Sequence, residues 1–104
     1  MDAILQALSD GTRRQILALV WRNERTAGDI AGHFRMSRPG VSQHLAVLLK
    51  SDLLVVRRAG TRRLYRANRR AVTQLRADLG AFWDANLSRL KIAAEVTERK
   101  KNDL

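Results

Sequence analysis

The chain has 104 residues, enough for one small domain, and 45% of them are hydrophobic, which is too many for a disordered tail. Lysine and arginine number 20 against 10 acidic residues, so the net charge of +10 predicts an anionic partner, either nucleic acid or a membrane surface. The absence of cysteine excludes disulfides and thiolate metal sites. Since no apolar run approaches the roughly 18 residues of a spanning helix and the N-terminus lacks the features of a signal peptide, we expect a cytoplasmic protein, with the nucleoid in a bacterium.

Four helices are predicted in the first half of the chain. Asp10, Thr26 and Ser37 are suitable N-caps for the second, third and fourth helices, because a short side-chain oxygen can accept a backbone N–H. The second helix is predicted to end near Asn23, and Pro39 lies in the first turn of the fourth, where a missing N–H costs nothing. The apolar residues at helical spacing in the first three helices are Ile4, Leu5, Leu8, Ile16, Leu17, Val20, Ile30, Ala31 and Phe34.

A β-hairpin and a long helix are predicted in the second half. Residues 53–56 form an apolar, β-branched run, and Arg62–Ala67 is the returning strand after a turn at residues 59–61, where Gly60 is free to adopt a positive φ. A last helix is predicted from about residue 70 to about residue 100. This order predicts a mainly α fold with a β-hairpin wing (α+β), a winged helix-turn-helix in a single domain over residues 1–104.

The helix after Ser37 has the composition of a helix that reads the major groove of DNA. Its apolar residues fall on one side, and the opposite side carries no acid. Gln43 can bind adenine bidentately and Arg38 can bind guanine, so we expect both to contact base edges. An ordinary solvated helix with a capping serine is the alternative. The residues predicted to face inward are Val41, Leu45, Leu48 and Leu49, and those predicted to contact DNA are Ser37, Arg38, Pro39, Ser42, Gln43 and His44.

The hairpin is strongly basic. Between Asp52 and Asp78 there is no acidic residue, and arginines lie on both sides of the turn. Like charges that face one another destabilise a hairpin unless an anion neutralises them, and arginine is favoured in narrow minor grooves. A solubilising edge strand is the alternative. Four wing residues are predicted to contact DNA, and Arg57 and Arg58 are expected to face Arg62 and Arg63 across the turn.

Apolar residues recur every three or four positions along the last helix. A helix of about 30 residues is about 45 Å long, which is more than a small domain covers. We therefore expect the same helix of a second chain to cover the stripe in a homodimer, a core helix with a frayed tail being the alternative. The predicted interface residues are Ile4 and Leu8 of the first helix and Leu79, Phe82, Trp83, Leu87 and Leu90 of the last.

Along nearly its whole length the chain resembles ArsR/SmtB-type repressors. Residues 7–17 and 26–31 resemble the opening and the third helix of that family. The most specific match is residues 37–48, with the sequence SRPGVSQHLAVL, followed by residues 53–55 and 60–65. The resemblance implies a homodimeric winged helix that binds an imperfect palindrome, usually as a repressor of its own operon, and whose two terminal helices form the dimer.

The residues that sense metals in many members of this family have no counterpart here. Founding members carry a Cys-x-Cys sensor on the third helix, where this chain has no cysteine, and others use Asp and His pairs on the last helix. His33 and His44 are the only histidines of the chain. The chain therefore resembles the metal-independent branch of the family, and we expect no metal site and no cofactor.

Other classes of function have less support. The sequence contains no nucleophile–base pair, no paired carboxylates in an apolar setting and no Gly-rich phosphate loop, so no feature of it indicates an enzyme. A winged-helix module that binds RNA or a protein partner stays as the alternative function, although Tyr65, the one candidate for stacking on RNA bases, is expected to anchor the wing. A membrane-surface role requires a basic amphipathic helix, whereas the arginines cluster in the hairpin.

Overall fold

The structure is a computed structural model that describes residues 2–102, with side chains for residues 2–87 and 89. It divides into two units, of which the first extends to Val72 and the second begins at Thr73. The elements in chain order are α1 (Asp2–Leu8), α2 (Gly11–Leu19), α3 (Ala27–Phe34), α4 (Arg38–Lys50), β1 (Leu54–Ala59), β2 (Arg62–Ala67) and α5 (Arg69–Asn102). This order of four helices, a hairpin and a long helix confirms the predicted winged helix-turn-helix. None of the helices in the described part is long and apolar enough to cross a membrane.

The three predicted N-caps are confirmed. The side chains of Asp10, Thr26 and Ser37 each accept the backbone N–H of the residue three positions further on, at 3.1 Å. Each cap residue has an extended backbone, so the chain turns into the helix only after the cap. The starts of α2, α3 and α4 therefore follow from local chemistry.

The end of α2 differs from the prediction, because the helix stops at Leu19, four residues before Asn23. The carbonyl of Val20 accepts the N–H of Ala67 in β2 at 3.0 Å instead of a helical N–H four residues further along the chain. Five residues later, Arg25 forms an antiparallel bridge with Tyr65 through N–H···O bonds of 3.0 and 2.8 Å. The segment between α2 and α3 therefore runs along the outer edge of β2.

The hairpin is longer than predicted, since β1 begins at Leu54 rather than residue 53 and continues to Ala59 rather than residue 56. Ala59 pairs with Arg62, which leaves a turn of two residues instead of three. The first of them, Gly60, has φ +64°, the conformation that a type II′ turn requires at that position. Because this turn matches the strand twist, pairing continues to the very tip.

The core of the first unit lies between the helices and one face of the hairpin. Ile4 and Leu8 of α1 are half-buried against it, and Tyr65 is buried, as expected for a residue that anchors the wing. Packing of α3 and α4 against the same core fixes which side of α4 faces outward. The largest fully buried side chains are Ile16, Val20, Ile30, Val41, Leu45, Leu48 and Leu53.

Two arginines of α2 hold the end of α1. Arg13 donates from Nε to the carbonyl of Ala7 at 2.6 Å and from a terminal nitrogen to that of Gln6 at 3.3 Å. Arg14 donates to the carbonyl of Leu8 at 2.7 Å. Carbonyls in the last turn of a helix have no partner within the helix, so these bonds satisfy them and fix α1 to α2.

The second unit consists of the remainder of α5. Along it Leu79 is half-buried, whereas Phe82, Trp83 and Leu87 are 55%, 50% and 52% exposed. The two aromatic rings contact each other edge to face, with their centroids 5.5 Å apart. The side chain of Leu90, the last predicted interface residue, lies outside the described residues.

Candidate nucleic-acid interface

The outward side of α4 is polar and carries no acidic side chain. Ser42, Gln43 and Lys50 are exposed on it, together with the small apolar residues Ala46 and Val47. The residues predicted to face inward are buried or, for Leu49, half-buried. Of the predicted DNA contacts on this helix, Ser37, Arg38, Pro39, Ser42 and Gln43 are exposed, and His44 is half-buried.

A tight turn holds the start of α4. Arg35 ends α3 in the left-handed conformation, with φ +54°. The N–H of the following residue, Met36, then donates to the carbonyl of Ala31 at 3.0 Å, so that the chain reverses within two residues. The Ser37 hydroxyl receives the N–H of Gly40, which places this predicted DNA contact in the cap of the helix.

The wing arginines are arranged differently from the prediction. Arg58 lies opposite Arg63, as expected, but Arg57 lies opposite Leu64 and Arg62 opposite Ala59, so the prediction that these two also face arginines is wrong. The prediction assumed a three-residue turn at residues 59–61. Because the turn has only two residues, the partner of each β1 residue in β2 differs by one position from the register that was assumed. Arg57 instead forms a salt bridge with Glu24, its Nε lying 2.6 Å from a carboxylate oxygen.

A groove of about 480 Å³ joins the start of α3, the start of α4 and the tip of the wing. Four of the predicted DNA contacts line it, namely Arg38 and Ser42 of α4 and Arg62 and Arg63 of the wing. No acidic side chain lines it, so its charge is uniformly positive. The other lining residues are Thr26, Ala27, Gly28, Thr61 and Tyr65.

Sequence reasoning missed the contribution of α3 to this groove. Thr26 is recognisable as an N-cap, but no local pattern places it beside the wing. That placement comes from the bridge between Arg25 and Tyr65, which joins residues 40 positions apart in the sequence. Of the other predicted contacts, Gln43 is on the outward side of α4, and Arg57, midway along the wing, is held by Glu24.

One carboxyl of this unit has a shifted pKa. The N–H of Arg13, donated to the side chain of Asp10, holds the pKa of Asp10 below its ordinary value. Desolvation opposes this effect, and the electrostatic interaction with Arg13 adds to it. Asp10 is therefore a charged cap at neutral pH. Among the residues that the structure describes, no three His, Asp or Glu side chains are grouped as a metal site would require.

Comparison with known proteins finds one family. Residues 10–55 match the model of the bacterial regulatory protein arsR family. The chain is 42% identical over 87 residues to the HTH-type transcriptional regulator Rv2034 of Mycobacterium tuberculosis, with 84% of this chain and 81% of that protein covered. It is 43% identical over 60 residues to the transcriptional repressor SdpR of Bacillus subtilis, with 58% and 67% covered.

Solved structures give the same fold. A possible transcriptional regulator for arsenical resistance superposes with a TM-score of 0.70 at 38% identity, covering 86% of this chain and 93% of that one. The homodimeric winged helix-turn-helix DNA-binding domain Mb0332 from Mycobacterium bovis superposes with a TM-score of 0.66 at 34% identity, covering 80% and 77%. Since the matched relatives are transcriptional regulators and repressors, which are not enzymes, the prediction that this chain is no enzyme is confirmed.

Proposed function

The chain belongs to the arsR family of bacterial regulatory proteins, a family of transcriptional regulators, and from this premise we propose that it is a homodimeric repressor that binds an imperfect DNA palindrome. The observation that carries the proposal is the single acid-free surface formed by the outward side of α4 and the adjoining groove. Such a surface suits a polyanion that also presents hydrogen-bonding groups at its base edges.

The two parts of this surface have different tasks. Gln43, exposed on the outward side of α4, reads a base in the major groove, because its amide can bind adenine at two points. Arg62 and Arg63 at the tip of the wing contact phosphates and enter the adjacent minor groove. Arg58 is exposed beside them and adds to the same field. The further proposed contacts are Ser37, Pro39, Ser42, His44 and Arg57.

The dimer is supported by the apolar side chains that a single chain leaves exposed. Phe82, Trp83 and Leu87 are each at least half exposed on α5, and large exposed apolar patches mark sites of association. The Mycobacterium bovis domain with the same fold is homodimeric. We infer that α5 pairs with its counterpart in a second chain, with Leu79, Leu90 and the α1 residues Ile4 and Leu8 contributing.

Two-fold symmetry then dictates the form of the binding site. Two copies of α4 related by a two-fold axis read the same bases on opposite strands, so the preferred sequence is a palindrome. Their half-sites are separated by roughly one helical turn, about 34 Å, or a multiple of it. Bound at a promoter, such a dimer blocks transcription by occupying the duplex.

Selection from a random-sequence duplex library, followed by sequencing of the bound fragments, tests the proposal. A palindromic consensus is expected, together with sedimentation as a dimer at micromolar concentration. An RNA duplex of equal length and anionic vesicles serve as competitors, because the alternative function is RNA or protein binding. Enrichment without any consensus, or preference for the RNA, would contradict the proposal, and a monomer would contradict the dimer.

Gln43→Ala tests the assignment of the base contact. Removing one bidentate base contact costs about 1–3 kcal/mol and relaxes the preference at one base pair of each half-site. Gln15→Ala is the matched control, since Gln15 is also an exposed helical glutamine but lies on α2, outside the groove and the outward side of α4. An unchanged ratio of affinities for consensus and scrambled duplexes in Gln43→Ala would show that another residue reads that base.

A further inference from the structure

We propose that Arg38 contacts the DNA backbone rather than a base, and that the groove between α3, α4 and the wing tip seats one phosphate of the bound duplex. The inference rests on the proposed function, and it changes the role that sequence analysis gives to Arg38. It also brings Thr26 and Gly28 of α3 into the interface. Four features of the groove lead to this assignment.

The first feature is the direction of the Arg38 side chain. A Cβ built on Gly28 would lie 3.2 Å from a terminal guanidinium nitrogen of Arg38 and 3.7 Å from its Cζ. The guanidinium therefore lies along the first turn of α3, although Arg38 belongs to the first turn of α4. To read guanine, it would have to leave this position for the outward side of α4. Where it lies, it faces the groove.

The second feature is the room that a glycine leaves. Any larger residue in place of Gly28 would crowd the guanidinium, because the 3.2 Å separation is tighter than ordinary van der Waals contact. Gly32, one turn further along the same helix, has nothing within 4 Å of the corresponding position. The missing side chain of Gly28 therefore leaves room for the Arg38 guanidinium, whereas that of Gly32 does not affect Arg38.

The third feature is uncompensated charge. Arg62 and Arg63 line the groove with Arg38, and no acidic side chain lines it. Among the described residues none forms an ion pair with any of these three arginines. Asp29, the nearest acid in sequence on α3, is exposed outside the groove lining. Three guanidinium groups around one cavity repel each other, and an anion between them relieves that repulsion.

The fourth feature is the set of hydroxyl groups. Thr26 uses its side-chain oxygen to accept the N–H of Asp29, which leaves its hydroxyl hydrogen free to donate. Ser42 adds a second hydroxyl from α4, and Thr61 a third from the wing. Guanidinium and hydroxyl donors around one anion are typical of contacts to a phosphate. Such contacts orient the protein on the duplex without reading its sequence.

Two pairs of variants test the inference on the selected consensus duplex and on a scrambled duplex, across a salt series. Arg38→Ala is expected to weaken both complexes to the same degree, leaving the ratio of their affinities within about twofold of the unmutated protein. The slope of log affinity against log salt should fall by about 0.9 for each phosphate that is no longer neutralised, hence by about 1.8 for a dimer. Arg38→Lys should keep most of that slope, because it keeps the charge.

Gly28→Ala and Gly32→Ala form the second, matched pair, since both replace a glycine of α3 by the best helix former. Gly28→Ala is expected to weaken binding to both duplexes, but by less than Arg38→Ala does, because the exposed Arg38 guanidinium has to move by only a short distance; Gly32→Ala should bind as the unmutated protein does. Thermal unfolding of all four variants checks that the fold is kept. A loss in Gly28→Ala that is confined to the consensus duplex would contradict the inference, because a disturbed phosphate contact weakens both complexes.

A reduced discrimination at one base pair in Arg38→Ala would overturn the inference alone, because it would show a base contact. An unchanged salt slope in Arg38→Ala would do the same, since Arg38 would then neutralise no phosphate. Failure of the unmutated protein to bind any duplex would instead overturn the proposed function and the inference together.

Discussion

The salt bridge between Arg57 and Glu24 predicts that the wing arginines contribute unequally to DNA binding. Arg57 is already compensated by a carboxylate at 2.6 Å, whereas Arg62 lines the acid-free groove. Arg62→Ala should therefore reduce the salt dependence of binding strongly, and Arg57→Ala only slightly. Glu24→Gln should release Arg57 and strengthen binding at low salt.

The size of the effect follows from counterion release. Each neutralised phosphate contributes about 0.9 to the slope, and one substitution removes an arginine from both chains of a homodimer, so Arg62→Ala should lower the slope by about 1.8. Between about 50 and about 200 mM salt, the affinity of the unmutated protein should then fall about 12-fold more than that of Arg62→Ala. Since the Arg57 and Glu24 side chains are 61% and 25% exposed, their pair stabilises the fold by less than about 1 kcal/mol, and breaking it should leave the protein folded.

Fluorescence anisotropy with a labelled duplex measures these slopes directly. The unmutated protein, Arg57→Ala, Arg62→Ala and Glu24→Gln are titrated at several salt concentrations, with circular dichroism as a check on folding. Equal slopes for Arg57→Ala and Arg62→Ala would refute the reasoning, because the carboxylate would then have no influence on the wing. An unchanged slope in Arg62→Ala would show that the wing is a solvated edge.

Three other predictions concern assembly and stability. Leu87→Asp should convert the dimer into monomers, as measured by sedimentation, and should weaken DNA binding as well. The reason is that a charge at this half-exposed apolar position opposes its burial against a second chain. A dimer of unchanged stability would show that the interface lies elsewhere. Asp10 has a folded-state pKa below its ordinary value of 3.8, so its stabilising effect is complete above that value and is lost as the pH falls through the lowered one. On acidification, the free energy of unfolding should consequently fall more steeply in the unmutated protein than in Asp10→Asn, whose amide can cap the helix without titrating. Parallel plots of unfolding free energy against pH for the two proteins would contradict this prediction. Asp52 has φ +61°, so Asp52→Gly should raise the unfolding free energy by about 0.5–1 kcal/mol in thermal denaturation, while Asp52→Ala, which removes the same charge, should bring no gain.

The features predicted correctly from the sequence are those set by neighbours in the chain. An N-cap such as Thr26 needs only the N–H three residues further on, and the buried side of α4 follows from the spacing of Val41, Leu45 and Leu48. These signals determine the starts of α2, α3 and α4 and which side of α4 faces outward. They also fix the order of elements, from which the fold class follows.

The features that were missed depend on pairing between distant parts of the chain. The early end of α2 results from hydrogen bonds to β2, and the partner of Arg57 is Glu24, 33 positions away. No spacing rule relates such residues, because their proximity exists only after the hairpin has docked. The groove was missed for the same reason, since its members come from α3, α4 and the wing.

The wing is anchored midway along its length and ends in a tight turn. The bridge from Arg25 to Tyr65 and the salt bridge from Glu24 to Arg57 join it to the segment between α2 and α3, and its turn has only two residues. A segment ordered before binding loses little conformational entropy when it meets its partner. If the wing binds DNA as proposed, more of the attraction between its arginines and the phosphates then becomes net affinity, and its fixed shape favours grooves of matching width.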